Sequence, residues 1–417
     1  MTAPKTLCRG RADCRLCGRM GLQHVFSLQP TPPANAFVTA DKKDEKQQTF
    51  PLDLYFCESC YHLQLRDVVD PAVLFENYVY VSGTSPVFIK HFEEYADEIT
   101  KRFQPAAGGL VVDIGSNDGT LLRFFQKKGN KVLGIDPAKK IAAEASASGV
   151  ETWPAFFDPA LAKKIVAERG PAAVVTANNV FAHADDLKGF AEGVRELLAP
   201  DGVFVFEVSY LADVISKTLF DTIYHEHVAY HSLKPLRGFF ASRCLELIAA
   251  VRVDSHGGSL RGMVQRRGGP RKIEESVAAL IREEEAMGLD KAETFREFAK
   301  KIGALKERLG DILRKLKMEG KSLVGFGAPA KATTLMHHFG LGPDLIDFIV
   351  DDSPWKQGLL SPGLHIPVVP SAELYKREPD AVLVLAWNFA DSIIAKHKAY
   401  GDAGGKFIVP LPEIRIV

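Results

Sequence analysis

Apolar positions in this chain follow two different periods. Leu110-Val-Val-Asp-Ile114, Lys131-Val-Leu-Gly-Ile135, Ala173-Val-Val-Thr-Ala177 and Gly202-Val-Phe-Val-Phe206 are short, largely apolar runs of the length expected for buried strands. The first runs into Gly115-Ser-Asn-Asp-Gly119 and then the helical pattern Thr120-Leu-Leu-Arg-Phe-Phe-Gln126; the last is introduced by the turn Pro200-Asp-Gly202. Strand, glycine turn, helix and strand predict an α/β unit whose sheet is parallel at its centre. From Lys272 to Met318 the period lengthens, with Val277, Leu280, Ile281, Phe295, Phe298, Ile302 and Leu305 falling mostly three or four apart, so a charged helical stretch with one solvated face is expected. Ser322-Leu-Val-Gly-Phe-Gly327 then repeats the strand and glycine turn, followed by Ala328-Pro-Ala-Lys331 and a helix. Leu345-Ile-Asp-Phe-Ile-Val350, ending in Asp351-Asp352, predicts a further strand of a second Rossmann-like unit.

A chain of 417 residues exceeds one ordinary core, so two large domains and a smaller one are expected. Lys+Arg 52 balances Asp+Glu 52, and no basic tract stands out, which argues against nucleic acid and for a small polar ligand. Eighteen apolar residues never run together and the first residues lack a signal-length apolar core; the expectation is a cytoplasmic protein with no membrane partner.

Five of the six cysteines lie in the first sixty residues, and four form two pairs, Cys14-Arg-Leu-Cys17 and Cys57-Glu-Ser-Cys60, with 39 residues between. Four thiolates complete a tetrahedral zinc shell and leave no position for water, so a structural ion is expected. No thioredoxin-like strand and helix surround either pair, which disfavours a redox role. Cys8 and Cys244 are expected to be a free thiol and a core residue. The Pro-rich Gln29-Pro-Thr-Pro-Pro33 and the charged Asp41-Lys-Lys-Asp-Glu-Lys46 read as loops between the knuckles.

Candidate chemistry concentrates in Asp221-Thr-Ile-Tyr-His-Glu-His-Val-Ala-Tyr-His-Ser232, where three histidines, two tyrosines and two carboxylates share twelve residues. Such a cluster suits proton transfer near neutral pH. Tyr224-His-Glu-His227 lacks the His-Glu-x-x-His spacing of a metalloprotease. Asp136 ends the second strand about twenty residues past the glycines, placed for ribose hydroxyls.

Asp113, Gly115, Gly119 and Asp136 resemble the first two motifs of class I S-adenosylmethionine-dependent methyltransferases, with Asn117 where the middle glycine would stand. In such a site an acidic group, Asp113 or Asp118, meets the ammonium of the methionine half. Together with the cysteine pairs, Tyr78-Val-Tyr80-Val-Ser-Gly-Thr-Ser85, Ala177-Asn-Asn-Val-Phe-Ala-His183, Tyr224-His-Glu-His227 and His256-Gly-Gly-Ser-Leu-Arg261, the order of motifs resembles the sugar C-methyltransferases that act on C3 of thymidine-diphosphate 4-keto deoxysugars. The resemblance implies a zinc-binding domain over residues 1–72, a methyltransferase domain over 73–268 and a C-terminal Rossmann-like substrate domain over 269–417. It implies S-adenosylmethionine and zinc as cofactors, a nucleotide-sugar substrate and a monomer. Tyr80, His183, Tyr224, Glu226 and His227 would line the reaction site, Asn179 would lie nearby, and His227 would be the base.

A basic residue beside a glycine turn occurs twice, at Lys331 and at Arg261 after Gly257-Gly258, and these residues, with Ser259, are candidates to hold the diphosphate. The alternative is that these glycines only permit tight turns. The rival function is an NAD-dependent oxidoreductase built on the C-terminal unit, although Lys331 stands near the place of the third fingerprint glycine.

Overall fold

The computed structural model describes residues 7–75, 83 and 86–417, and among these the chain builds four sheets, the three larger of which surround one cleft. The central sheet has seven strands in the order Leu245–Val253, Ser259–Arg266, Leu198–Ser209, Ala172–Asn178, Leu110–Ile114, Lys131–Ile135, Thr152–Trp153. The last five are parallel, and Ser259–Arg266 lies antiparallel between Leu198–Ser209 and Leu245–Val253. All four strands expected between residues 110 and 206 are present, and every residue of Leu110–Ile114 is buried, as a strand covered on both faces requires. This is the class I methyltransferase arrangement that the resemblance implies.

The C-terminal unit repeats the plan more briefly. Its six-stranded sheet runs Val368–Val369, Ile349–Val350, Leu323–Phe326, Ala381–Val384, Lys406–Val409, Arg415–Ile416, parallel except for the last strand. The expected strand over 345–350 shrinks to Ile349–Val350, because Leu345 and Ile346 close a turn by donating their amides to Gly342 O. The charged helical stretch divides into Glu275–Ala286 and Ala292–Met318 at Gly288, whose φ of +70° ends the first helix.

In the N-terminal region Phe50–Phe56 shows strict in-out alternation between Gln23–Thr31 and Leu63–Leu65, all antiparallel. The fourth strand of this sheet is Ala229–Tyr230, from the chain just beyond the proton-handling cluster. Sheet pairing therefore ties Tyr224–His227 to the cysteine-bearing module. Cys244 is exposed at a φ of +57° where helix Leu233–Ser242 turns into strand Leu245–Val253, which corrects its expected place in the core. Among the described residues no helix is long and apolar enough to cross a membrane.

Candidate functional site

Each cysteine pair sits on the same tight knuckle. Gly18 N donates to Cys14 O at 2.8 Å and Tyr61 N to Cys57 O at 2.7 Å, with φ values of +71° and +69° at the fourth residue after each first cysteine. The knuckles face each other so that the four Sγ atoms lie within 4.8 Å of one another, Cys14 to Cys60 at 3.5 Å and Cys17 to Cys57 at 3.6 Å. A tetrahedron with Zn–S bonds of about 2.3 Å has edges of about 3.8 Å, so the donor set fits zinc. The contact with Cys14 and burial push the Cys60 thiol far above its usual range, because so many sulfurs cannot ionise together without a cation. None of the four cysteines lines the cleft, as expected of a structural ion.

The cleft measures about 1360 Å³ and lies between the carboxyl ends of the two parallel sheets, the crevice where open α/β sheets bind ligands. One wall is acidic. Asp113, 4 % exposed, accepts from Thr176 Oγ1 at 2.6 Å, and burial raises its pKa to about 7. A buried carboxyl in that condition fits a cationic ligand, which would restore its charge. Asn117 takes the middle-glycine position at a φ of +51°, a left-handed conformation that asparagine tolerates, so the departure in the motif leaves the turn intact. Gly115 cannot carry a side chain: its φ is +72°, and a Cβ would sit 2.3 Å from Val180 Cγ2. Asp136 receives Asn117 N and Ala138 N, both at 2.9 Å, which braces the turn and leaves further lone pairs for ribose hydroxyls. Asp118 receives Gly83 N at 3.1 Å and caps Thr120, while Gly119 stands at the N-cap of helix Thr120–Lys127. Asn179, at a φ of +56°, also lines this wall.

Opposite the acidic wall, His183, Tyr224, Glu226 and His227 converge. The His227 ring stacks on His183 at 5.1 Å and lies 4.2 Å from the Tyr224 ring; His183 in turn stacks on Phe75 at 5.5 Å. His227 Nδ1 lies 2.7 Å from Thr222 O, and because a carbonyl only accepts, Nδ1 carries the proton and Nε2 keeps its lone pair. Burial lowers the His227 pKa to about 4, with the Thr222 bond opposing, so the ring is neutral at physiological pH. His183 is also held well below its usual range, by burial and then by the repulsion that protonation of both rings would bring. Glu226, 4 % exposed, accepts from Asn35 Nδ2 at 3.1 Å. The cluster's other histidines point elsewhere: His225 bonds Phe50 O at 3.1 Å, and His231 is buried against Phe181. Tyr80 lies outside the described residues.

The third wall comes from the C-terminal unit, where Pro329, Ala330, Lys331, Lys356, Asn388 and Phe389 reach the cleft. They gather beside the switch point between the neighbouring strands Leu323–Phe326 and Ala381–Val384. Lys331 Nζ lies 3.7 Å from Asp221 and 3.9 Å from the centre of the Trp387 ring. Lys356 Nζ donates to Ala328 O at 2.8 Å. Burial lowers both ammonium pKa values, opposed by Asp221 and Asp351 respectively.

Arg261 reaches the cleft from the central sheet with its charge already met: Nε donates to Glu207 at 2.7 Å, and Nη1 pairs with Glu98. Ser259 is off the cleft, its hydroxyl donating to Ser255 O at 3.0 Å. Sequence reasoning missed Asn35, Lys356 and the pair of half-buried His91 with buried Glu207, which closes at 2.8 Å. Each stands alone in its segment with no motif around it. The one available signal was the length of chain between the cysteine pairs, more than a knuckle needs.

Comparison with known proteins gives three adjoining matches: a family model described as "Putative zinc binding domain" over residues 14–75, one described as "Methyltransferase domain" over 88–249, and one described as "C-methyltransferase C-terminal domain" over 254–412. The chain is similar to C-methyltransferase NovU of Streptomyces niveus, with 37% identity over 406 residues, 97% of this chain and 96% of that protein. A ubiquinone biosynthesis O-methyltransferase of Methylobacterium sp. (strain 4-46) shares 30% identity over 102 residues, 24% of this chain and 41% of its own. A solved S-adenosylmethionine-dependent methyltransferase from Clostridium acetobutylicum ATCC 824 aligns with 43% of this chain and 92% of its own at 15% identity and a TM-score of 0.36.

Proposed function

Since the chain belongs to the family of S-adenosylmethionine-dependent C-methyltransferases, we propose that it methylates the carbon beside the ketone of a nucleotide-linked 4-keto deoxysugar, at C3 of a thymidine-diphosphate sugar. The observation that carries this reading is the His227 imidazole, its Nδ1–H committed to Thr222 O and its Nε2 lone pair held neutral in the cleft.

Carbon is not nucleophilic until it loses a proton, and an adjacent ketone permits that loss by spreading charge onto oxygen. His227 Nε2 takes the proton. Its low pKa keeps it available as a base across neutral pH, and the enolate oxygen formed in the same step is the counter-charge that stabilises the imidazolium. The Tyr224 hydroxyl donates to that oxygen, a role Tyr80 can share. His183 fixes the plane of the His227 ring by stacking, and Glu226 orients substrate hydroxyls. S-adenosylmethionine, when bound against Asp113 or Asp118 and Asp136, supplies the sulfonium methyl that the enolate carbon accepts.

A volume of about 1360 Å³ exceeds the 300–1,000 Å³ typical of one small-molecule site, which supports two ligands together. Lys331 holds the diphosphate of the sugar, because an anion beside an ammonium whose pKa is lowered by burial stabilises its charged form. Lys356, on the same wall, adds a second positive charge.

The test is incubation with methyl-labelled S-adenosylmethionine and a panel of thymidine-diphosphate 4-keto sugars, followed by NMR of the product. The expected label is on carbon beside the ketone. Label on oxygen or nitrogen, or none with any keto sugar, overturns the proposal.

A further inference from the structure

The chain between the two cysteine pairs forms a wall of the reaction site. Pro33-Ala-Asn-Ala36 closes a turn, Ala36 N donating to Pro33 O at 3.0 Å, which presents the Asn35 side chain to the cleft. Asn35 Nδ2 donates to Glu226 Oε1 at 3.1 Å, across 191 residues of sequence. The helix Ala330–Phe339 of the C-terminal unit holds both ends of this contact. Thr333 Oγ1 donates to Ala34 O at 2.9 Å, next to Asn35, and Thr334 Oγ1 donates to Ile223 O at 2.9 Å, next to Tyr224. Both threonines are buried, Thr334 completely. Beyond the turn, Val38 and Leu360 exchange backbone hydrogen bonds of 3.1 and 2.8 Å, fastening the same loop to the C-terminal unit a second time.

We propose that Asn35 is a positioning residue of methyl transfer. It orients the Glu226 carboxylate towards substrate, and the adjacent threonines fix the separation of the two segments that carry the pair. The inference rests on the reading of Glu226 given above. A neutral amide suits this role because it donates directionally to a carboxylate without cancelling its charge, so Glu226 stays a strong acceptor for hydroxyl groups. A lysine or arginine there would form an ion pair and compete with the substrate. The arrangement also gives the zinc module a part in the reaction, since its loop supplies the donor.

The test compares Asn35→Asp, Asn35→Ala and Glu226→Gln in the full-length, zinc-loaded enzyme, with a thymidine-diphosphate 4-keto deoxysugar as acceptor. Asn35→Asp sets two carboxyls about 3 Å apart, where they share one proton at low pH and repel at high pH. The expected result is a kcat about tenfold below wild type at pH 8, recovering to within about threefold near pH 5.5, with KM for S-adenosylmethionine unchanged. Asn35→Ala loses about tenfold in kcat at every pH, and adding Glu226→Gln to Asn35→Asp removes the alkaline decline. If Glu226→Gln is impaired while Asn35→Asp shows no pH-dependent loss, the inference falls and the reading of Glu226 stands; full turnover in Glu226→Gln overturns both. Should Asn35→Asp fail to hold zinc, Asn35→Ala decides, and a kcat within twofold of wild type refutes the role. Carboxyl 13C NMR, assigned with Glu226→Gln, reads the same coupling without an acceptor. One carboxyl of the Asn35→Asp pair should keep its proton into the neutral range, and titration of both below pH 5 contradicts the proposal.

Discussion

At the end of strand Leu110–Ile114, Gly115 N donates to Ile135 O at 2.7 Å and Asn117 N to Asp136; at the end of Leu323–Phe326, Gly327 N donates to Val350 O at 2.7 Å and Ala328 N to Asp351. The bracing carboxylates even spend their other oxygens alike, Asp136 on Ala138 N at 2.9 Å and Asp351 on Ser353 N at 2.7 Å. The backbone plan is the same in both units, and what differs is the charge shown to the cleft. The central unit offers Asp113 and Asp118, the C-terminal unit Lys331 and Lys356. A shared turn therefore reveals little about its ligand, whereas the charge beside it is what, under the proposed function, would separate a cationic methyl donor from an anionic nucleotide.

Reversing the basic wall has the largest expected effect on this contrast. Lys331→Glu should weaken binding of a thymidine-diphosphate sugar about a hundredfold by titration calorimetry, because a carboxylate backed by buried Asp221 would face the phosphates in place of an ammonium. Affinity for S-adenosylmethionine should change less than twofold. Equal losses for both ligands would mean that the walls are not separate sites.

On the acidic wall, Asp113→Asn should cost about tenfold in affinity for S-adenosylmethionine and leave sugar-nucleotide binding intact. The wild-type affinity for that donor should also rise with pH. Asp113, with its pKa raised to about 7, must lose its proton to meet the ammonium, so affinity falls on acidification below pH 7 and levels off near the tenfold loss of Asp113→Asn. A flat profile between pH 6 and 8 would remove Asp113 from the ammonium contact.

A separate effect, on stability and not on binding, concerns the fold around the cleft. His225, His227 and His231 are each lowered to about 4 by burial, so the unfolded chain binds protons that the native one refuses. Stability from this source is complete above pH 6.5 and declines on acidification towards pH 4, by up to about 1.4 kcal/mol per pH unit for each histidine. Denaturant unfolding between pH 7 and 5 checks the sign; greater stability at pH 5 would show these rings to be charged in the native protein.

Much of this was legible in sequence wherever chemistry and backbone coincide locally. The apolar runs ending at Ile114 and Ile135 are strands because strand burial on both faces demands continuous hydrophobicity, and the spacing of Cys14, Cys17, Cys57 and Cys60 fixes two knuckles whatever lies between them. The cluster around His227 stood out by residue type alone. Asn35 did not, because its partner is 191 residues away, and the two meet through the pairing of Ala229–Tyr230 with the zinc module's sheet and through the threonines of helix Ala330–Phe339. Arg261 looked like a free cation after a glycine turn; its neutralisation by Glu207 and Glu98 depends on strand register and on helix Pro86–Phe103, neither visible in one local motif. Cys244 looked like core because cysteine usually is buried, yet it occupies a left-handed turn position at the surface.

Removal of a proton from carbon by His227 is the step on which the proposed chemistry depends, and hydrogen exchange in D2O tests it most directly. With a thymidine-diphosphate 4-keto sugar and S-adenosylhomocysteine in place of the donor, wild-type enzyme should wash deuterium into the position beside the ketone, and His227→Asn should slow the exchange by about a thousandfold or more while donor affinity holds. Exchange at the wild-type rate in His227→Asn would contradict the assignment of the base.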